Sequence, residues 1–129
     1  MDIKGKAEDI ASKVKCHNVD SSVEDVLRTT DWLSQSCVIV CDDTNKLFGV
    51  ISESDILEAE KQDRNIKALK SWELCSHNMI VVKPDTDIKE VIILMLKHHV
   101  HHVLISNHDG QCDSIISSLD ILKAICGDE

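Results

Sequence analysis

Apolar residues fall into two kinds of pattern along the chain, and each pattern occurs twice. Two buried-looking runs, Cys37-Val38-Ile39-Val40-Cys41 and His102-Val103-Leu104-Ile105, predict strands covered on both faces. Ahead of each, apolar residues recur with helical spacing: Val23, Val26 and Leu27 in the first case, Ile88, Val91, Ile92 and Met95 in the second. That period predicts an amphipathic helix, and Ser21-x-x-Glu24 offers the first one a capping box. The first helix is the weaker, because Thr29, Thr30 and Asp31 interrupt its stripe. Lead strands around Val14-Lys15-Cys16-His17 and Met79-Ile80-Val81-Val82 precede the helices, with turns at Asp20 and Pro84-Asp85. After each buried strand a polar turn, Asp42-Asp43-Thr44-Asn45 or Asn107-His108-Asp109-Gly110, leads to a third strand at Leu47 to Ile51 or Cys112 to Ile116. A helix then begins after Ser52 and again after Ser117. The predicted order is β-α-β-β-α, written twice.

The duplication is also literal. Val50-Ile51-Ser52-Glu53-Ser54-Asp55-Ile56-Leu57 returns as Ile115-Ile116-Ser117-Ser118-Leu119-Asp120-Ile121-Leu122, displaced by 65 positions. The same offset pairs Val38 with Val103, Asp20 with Asp85 and Glu8 with Glu73, which predicts a repeat without gaps. One copy of about 60 residues is marginal alone, so two copies are expected to pack about a pseudo-twofold axis. Gln62 to Ser71 joins them; it is charged, lacks Gly and Pro, and is expected to be partly helical.

Composition narrows the function. Aromatic residues make up 2% of the chain, so the core must be aliphatic. A formal charge of −9 argues against binding nucleic acid through phosphate neutralisation. Met1 to Lys15 has no apolar signal-peptide core, and no apolar run is long enough to insert in a membrane, so a soluble cytoplasmic protein is expected. The six cysteines form no CxxC pair, and they read as reduced thiols acting as small hydrophobes.

The chemistry concentrates where the third strand meets the last helix. Ser52 and Asp55, like Ser117 and Asp120, have the spacing of a capping box, which stabilises a helix start by about 0.5 to 2 kcal/mol without any ligand. The same geometry offers free N–H groups and a positive dipole end to an anion, with a carboxylate placed to accept hydrogen bonds from a ribose diol. No Ser-His-Asp or Cys-His arrangement has a recognisable local motif, so catalysis is not expected. His98, His99, His101 and His102 cluster, but no carboxylate or cysteine completes a recognised spacing, so no metal site is assigned. Trp32 and Trp72 are isolated and read as packing or partner-contact residues.

Two phrases carry a family resemblance. Gly49-Val50-Ile51-Ser52-Glu53-Ser54-Asp55 and Ser114-Ile115-Ile116-Ser117-Ser118-Leu119-Asp120, with the lead-in from Glu73-Leu74-Cys75 to Pro84-Asp85, resemble the cystathionine-beta-synthase (CBS) domain in its tandem-pair form. The resemblance implies an α/β (α+β) fold: two β-α-β-β-α repeats, residues 8–63 and 72–128, forming one CBS-pair module. It implies a non-catalytic regulatory module with no resident cofactor, which senses an adenine-containing small molecule such as AMP, ADP, ATP or S-adenosylmethionine in clefts between the repeats. It also implies a homodimer that acts on a regulated enzyme or transporter; the alternative is an interaction scaffold with empty clefts.

Carried over by position, one cleft would comprise Val50, Ser52, Ser54 and Asp55 with Asn78 and Ile80. The other would comprise Ile115, Ser117, Leu119 and Asp120 with Lys13 and Lys15. The family often has a basic residue before the second strand, where this chain has His101-His102 in one copy and Ser36-Cys37 in the other. The Asp120 cleft, with these cationic candidates, is therefore the expected phosphate site, whereas Glu53 disfavours phosphate beside Asp55.

Overall fold

The structure is a computed structural model that describes residues 3–35 and 37–127. In chain order its elements begin with α1 (Ala7–Ile10), β1 (Ser12–Lys13), β2 (Cys16–Asn18), α2 (Val23–Thr29), β3 (Cys37–Cys41), β4 (Leu47–Ser52) and α3 (Glu53–Lys61). A 3-10 turn (Ile66–Ala68) and α4 (Ser71–Leu74) follow, then β5 (Val81–Val82), α5 (Ile88–His98), β6 (His102–Ser106), β7 (Cys112–Ser117) and α6 (Ser118–Cys126). The duplicated strand-helix order expected from the apolar pattern is present.

The chain forms two compact units, which do not coincide with the expected repeats 8–63 and 72–128, the last residue of which lies outside the described residues. A contiguous unit runs from Lys15–Met79; a split unit combines residues 3–14 with 80–127. The lead-in of each repeat therefore completes the unit built mainly by the other repeat.

In the contiguous unit the sheet order is β2-β3-β4, with β2 parallel to β3 and β4 antiparallel to it. All five residues of β3 are buried, which explains why its sequence does not alternate. Val23, Val26, Val38, Val40 and Ile51 form the centre of an aliphatic core, with Trp32 and Phe48 packed at its margin. The N-cap of α2 is Ser22, whose hydroxyl accepts from the Asp25 N–H at 3.1 Å, one residue later than the expected Ser21-x-x-Glu24 box. The helix ends early because Thr29 and Thr30 turn their hydroxyls onto the Asp25 and Val26 carbonyls (2.7 and 2.6 Å) and the backbone becomes extended.

In the split unit the sheet order is β1-β7-β6-β5. Its core contains Ala7, Val91, Val103 and Ile116, all fully buried. Here α5 runs for 11 residues and stops at His99, whose left-handed backbone (φ 54°) returns an N–H to the Met95 carbonyl.

The repeat is not free of gaps. Asp9 and Glu73 occupy the same capping position at α1 and α4, and Ser12 and Ser76 occupy the same place opposite Ile115 and Val50. Those pairs are 64 residues apart, whereas Cys16 and Val81, at equivalent places in β2 and β5, are 65 apart. One extra residue therefore lies between Ser76 and Val81, and Glu8 does not match Glu73.

Candidate functional site

At the contiguous unit's strand-to-helix junction, β4 ends on Ser52, whose extended backbone makes it the N-cap of α3. The Ser52 N–H donates to Asp55 Oδ2 at 2.8 Å and its hydroxyl donates to the same oxygen at 2.9 Å. In return the Asp55 N–H reaches Ser52 Oγ at 3.4 Å, and Ser54 Oγ lies 2.8 Å from the Ser52 hydroxyl. The capping box expected from the sequence is thus formed. Beside it, Val50 and Ser76 exchange backbone hydrogen bonds of 3.0 and 2.7 Å. The approach is close enough that a Cβ on Gly49 would stand 2.8 Å from the Ser76 carbonyl oxygen. The Ser76 hydroxyl accepts from the Asn78 N–H (3.0 Å), while His77 places its ring edge-on to Phe48 and its Nδ1 2.8 Å from the Phe48 carbonyl. Burial raises the pKa of the Cys75 thiol, and the nearby Asp55 carboxylate adds to the rise.

The split unit repeats the box at the junction of β7 and α6. The Ser117 N–H and hydroxyl donate to Asp120 Oδ2 at 2.8 and 3.1 Å, and the Asp120 N–H returns to Ser117 Oγ at 3.1 Å. A further donor comes from β1: the Ser12 hydroxyl reaches Asp120 Oδ1 at 3.1 Å. β1 pairs antiparallel with β7, placing Ser12 opposite Ile115 and Lys13 opposite Ser114. The Lys13 ammonium lies 3.8 Å from the Asp113 carboxylate, so part of its charge is already answered. The position matching Ser54 is Leu119, which is exposed.

The expected site residues are therefore partly brought together. Val50, Ser52, Ser54, Asp55 and Asn78 share the contiguous unit, as do Ile115, Ser117, Leu119, Asp120 and Lys13 the split one. Ile80 belongs to the split unit, where its carbonyl accepts from the Leu104 N–H, and Lys15 belongs to the contiguous unit beside His17. Ser36 lies outside the described residues. His101 approaches the junction through its backbone: its carbonyl accepts both the N–H and the hydroxyl of Ser118 (2.8 and 3.1 Å). His102 begins β6 opposite Ser117. Sequence reasoning missed Ser12 and Ser76, whose pairing partners lie far along the chain.

Among the described residues no three histidine, cysteine or acidic side chains converge as metal ligands. Burial pushes the Cys112 thiol up to about 11, so it stays protonated at neutral pH and is a poor nucleophile. Between α5 and α6 lies an apolar groove lined by Ile92, Leu96, His99, Ile121 and Leu122. No helix among the described residues is long and apolar enough to cross a membrane.

Two mixed sheets, each with a Ser-x-x-Asp junction leading into a nine-residue helix, define a tandem α/β module. A family model for the CBS domain matches residues 8–62 and again residues 71–127, and the chain belongs to the CBS domain family. CBS pairs are regulatory modules, and the two matches occupy nearly the whole sequence. The crystal structure of an uncharacterised conserved protein from Pyrococcus horikoshii superposes with a TM-score of 0.86 at 21% identity, covering 100% of this chain and 98% of the other. The CBS domain pair of protein MJ0100, solved with 5-methylthioadenosine and S-adenosyl-L-methionine, superposes with a TM-score of 0.84 at 22% identity, covering 98% of this chain and 99% of the other. Both likenesses establish the CBS-pair fold. Among curated sequences, inosine-5'-monophosphate dehydrogenase of Methanocaldococcus jannaschii is 25% identical over 119 residues, which is 92% of this chain and 23% of the enzyme. The chain thus spans only about a quarter of that relative.

Proposed function

We propose that the chain is a non-catalytic regulatory module that binds an adenosyl ligand, of the AMP, ADP, ATP or S-adenosylmethionine class, at its strand-to-helix junctions. The observation that carries this reading is the recurrence in both units of a carboxylate fixed beside a helix N-terminus, at Asp55 and Asp120. Such a carboxylate can accept ribose hydroxyls while the helix end favours phosphate or another anion. The structural neighbour solved with 5-methylthioadenosine and S-adenosyl-L-methionine supports the ligand class. The match to a quarter of a dehydrogenase supports action on an enzyme, whether covalently attached or separate. Val50, Ser52, Ser54 and Asp55 with Asn78, and Ile115, Ser117 and Asp120 with Lys13, are the contact residues proposed. Ile80, Lys15, His101 and His102 are proposed as further contacts on the family pattern.

We also propose self-association through the helices, supported by the exposure of Ile93, Leu96, Leu119 and Leu122 on α5 and α6. Light scattering of the purified chain should then give twice the monomer mass; a monomer at all concentrations overturns it. The second reading, a scaffold without ligand, is favoured by the completeness of both capping boxes, which explain Ser and Asp without any ligand. A thermal-shift panel of AMP, ADP, ATP, NAD and S-adenosylmethionine separates the two. A rise in midpoint with at least one ligand is expected, and silence from all of them at millimolar concentration selects the scaffold.

A further inference from the structure

The two junctions differ in how many hydrogen bonds their carboxylates can still accept. A carboxylate offers about four acceptor positions, two on each oxygen. In both units Oδ2 already receives two donors, the N–H and hydroxyl of the capping serine. The other oxygen must therefore serve any ligand. Among the described residues Asp55 Oδ1 accepts no hydrogen bond: Ser76, which stands where Ser12 stands in the split unit, accepts from the Asn78 N–H and makes no bond to the carboxylate. Asp120 Oδ1 accepts the Ser12 hydroxyl at 3.1 Å. Two positions are open in one unit and one in the other.

The geometry points to Ser12 as a specificity-determining residue: Asp55 can hold both hydroxyls of a ribose cis-diol, whereas Asp120, with Ser12 seated on it, can hold only one. The Asp55 junction therefore selects ribonucleosides over 2'-deoxyribonucleosides, and the Asp120 junction takes both alike. In the split unit the pairing of β1 with β7 sets the exposed Ser12 beside the carboxylate, and its hydroxyl donates there. The pairing register holds Ser12 next to α6, so seating its hydroxyl orders only one short side chain. A ligand needing both positions must displace it.

This inference rests on the proposed binding of nucleosides at the two junctions, and the following experiment separates the two claims. The full chain is titrated with adenosine and with 2'-deoxyadenosine while the backbone amide signals of Ser52 and Asp55, and of Ser117 and Asp120, are followed by NMR for the native chain, Ser12→Ala and Ser12→Thr. One hydrogen bond to a charged group is worth roughly tenfold in affinity. The expected ribose preference is roughly tenfold at Asp55 in all three proteins. At Asp120 it should be absent in the native chain and in Ser12→Thr, which keeps the hydroxyl, and appear at roughly tenfold in Ser12→Ala. A ribose preference already present at Asp120 in the native chain, its failure to appear in Ser12→Ala, or no preference at Asp55 each overturns the role of Ser12 and leaves nucleoside binding intact. If guanosine or uridine binds with the same pattern and adenosine does not, the adenine reading falls and the role of Ser12 stands. If no ribonucleoside moves either set of signals in any of the three proteins, both claims fall.

Discussion

The contiguous and split units share a plan but differ in what surrounds it. The contiguous unit has a seven-residue α2 with two buried residues, a glycine pressed against its lead-in and a buried histidine in its lead strand. The split unit has an 11-residue α5, a serine where that glycine stands, and valine, Val82, in place of the histidine. What the two share is the central strand pair and the capped junction. The comparison teaches that the junction geometry survives large changes in its supports, because it is fixed locally by a strand end, a serine and a carboxylate three residues on.

If the shared framework sustains each unit, truncating its equivalent centres should cost each unit about the same. Ile51 on β4 and Ile116 on β7 are both fully buried, and Ile51→Ala and Ile116→Ala should each lower unfolding free energy by about 2 to 5 kcal/mol in urea denaturation. A loss below about 1 kcal/mol for either one breaks the comparison.

Exchange at the glycine position should be asymmetric. Gly49→Ser would drive a Cβ to 2.8 Å from a backbone oxygen that has no freedom to swing away, at a cost of about 1 to 3 kcal/mol. Ser114→Gly removes a tolerated side chain from a strand and should cost no more than about 1 kcal/mol. Equal effects from the two exchanges would mean that the lead-ins approach their sheets alike.

The smallest difference is a pH effect. Burial lowers the pKa of His17 below its ordinary 6.5, Lys15 lowers it further, and Asp25 partly opposes them. Because the folded state holds this imidazole neutral while the unfolded chain protonates it near 6.5, the unfolded chain binds the extra proton in the window below 6.5. Stability is therefore fully present above that value and falls as pH drops through it toward the lowered folded value. His17→Val, which copies Val82, should flatten the dependence of thermal midpoint on pH between about 7 and 5. An unchanged slope would assign the acid sensitivity to other groups.

Much of this organisation was legible in sequence. The apolar periods located α2, α5, β3 and β6, and the serine-to-aspartate spacing located both junctions, since each depends on contacts within a few residues. Some of the features that escaped depend on partners far along the chain. Two-residue β1 has no pattern of its own and exists because β7, a hundred residues later, pairs with it. The shift from 64 to 65 in the repeat was hidden because acidic residues at both Glu8 and Asp9 offer Glu73 two alignments, and only the capping geometry selects Asp9. Ser22 displaced Ser21 as cap for a similar reason: two adjacent serines fit the motif equally until the backbone fixes where the helix starts.

The split between the units also imposes an order of assembly. Everything the contiguous unit needs lies between Lys15 and Met79, so on a ribosome it can close its core before the second CBS repeat has fully emerged. Ser12 and Lys13 must wait for β7, more than a hundred residues downstream, and until then that short edge strand has no partner within its own unit. The closing of this long loop carries an entropic cost that a contiguous unit avoids. Synthesis thus makes the Asp55 junction available first, and the Asp120 junction is completed only once β7 and α6 have followed β1.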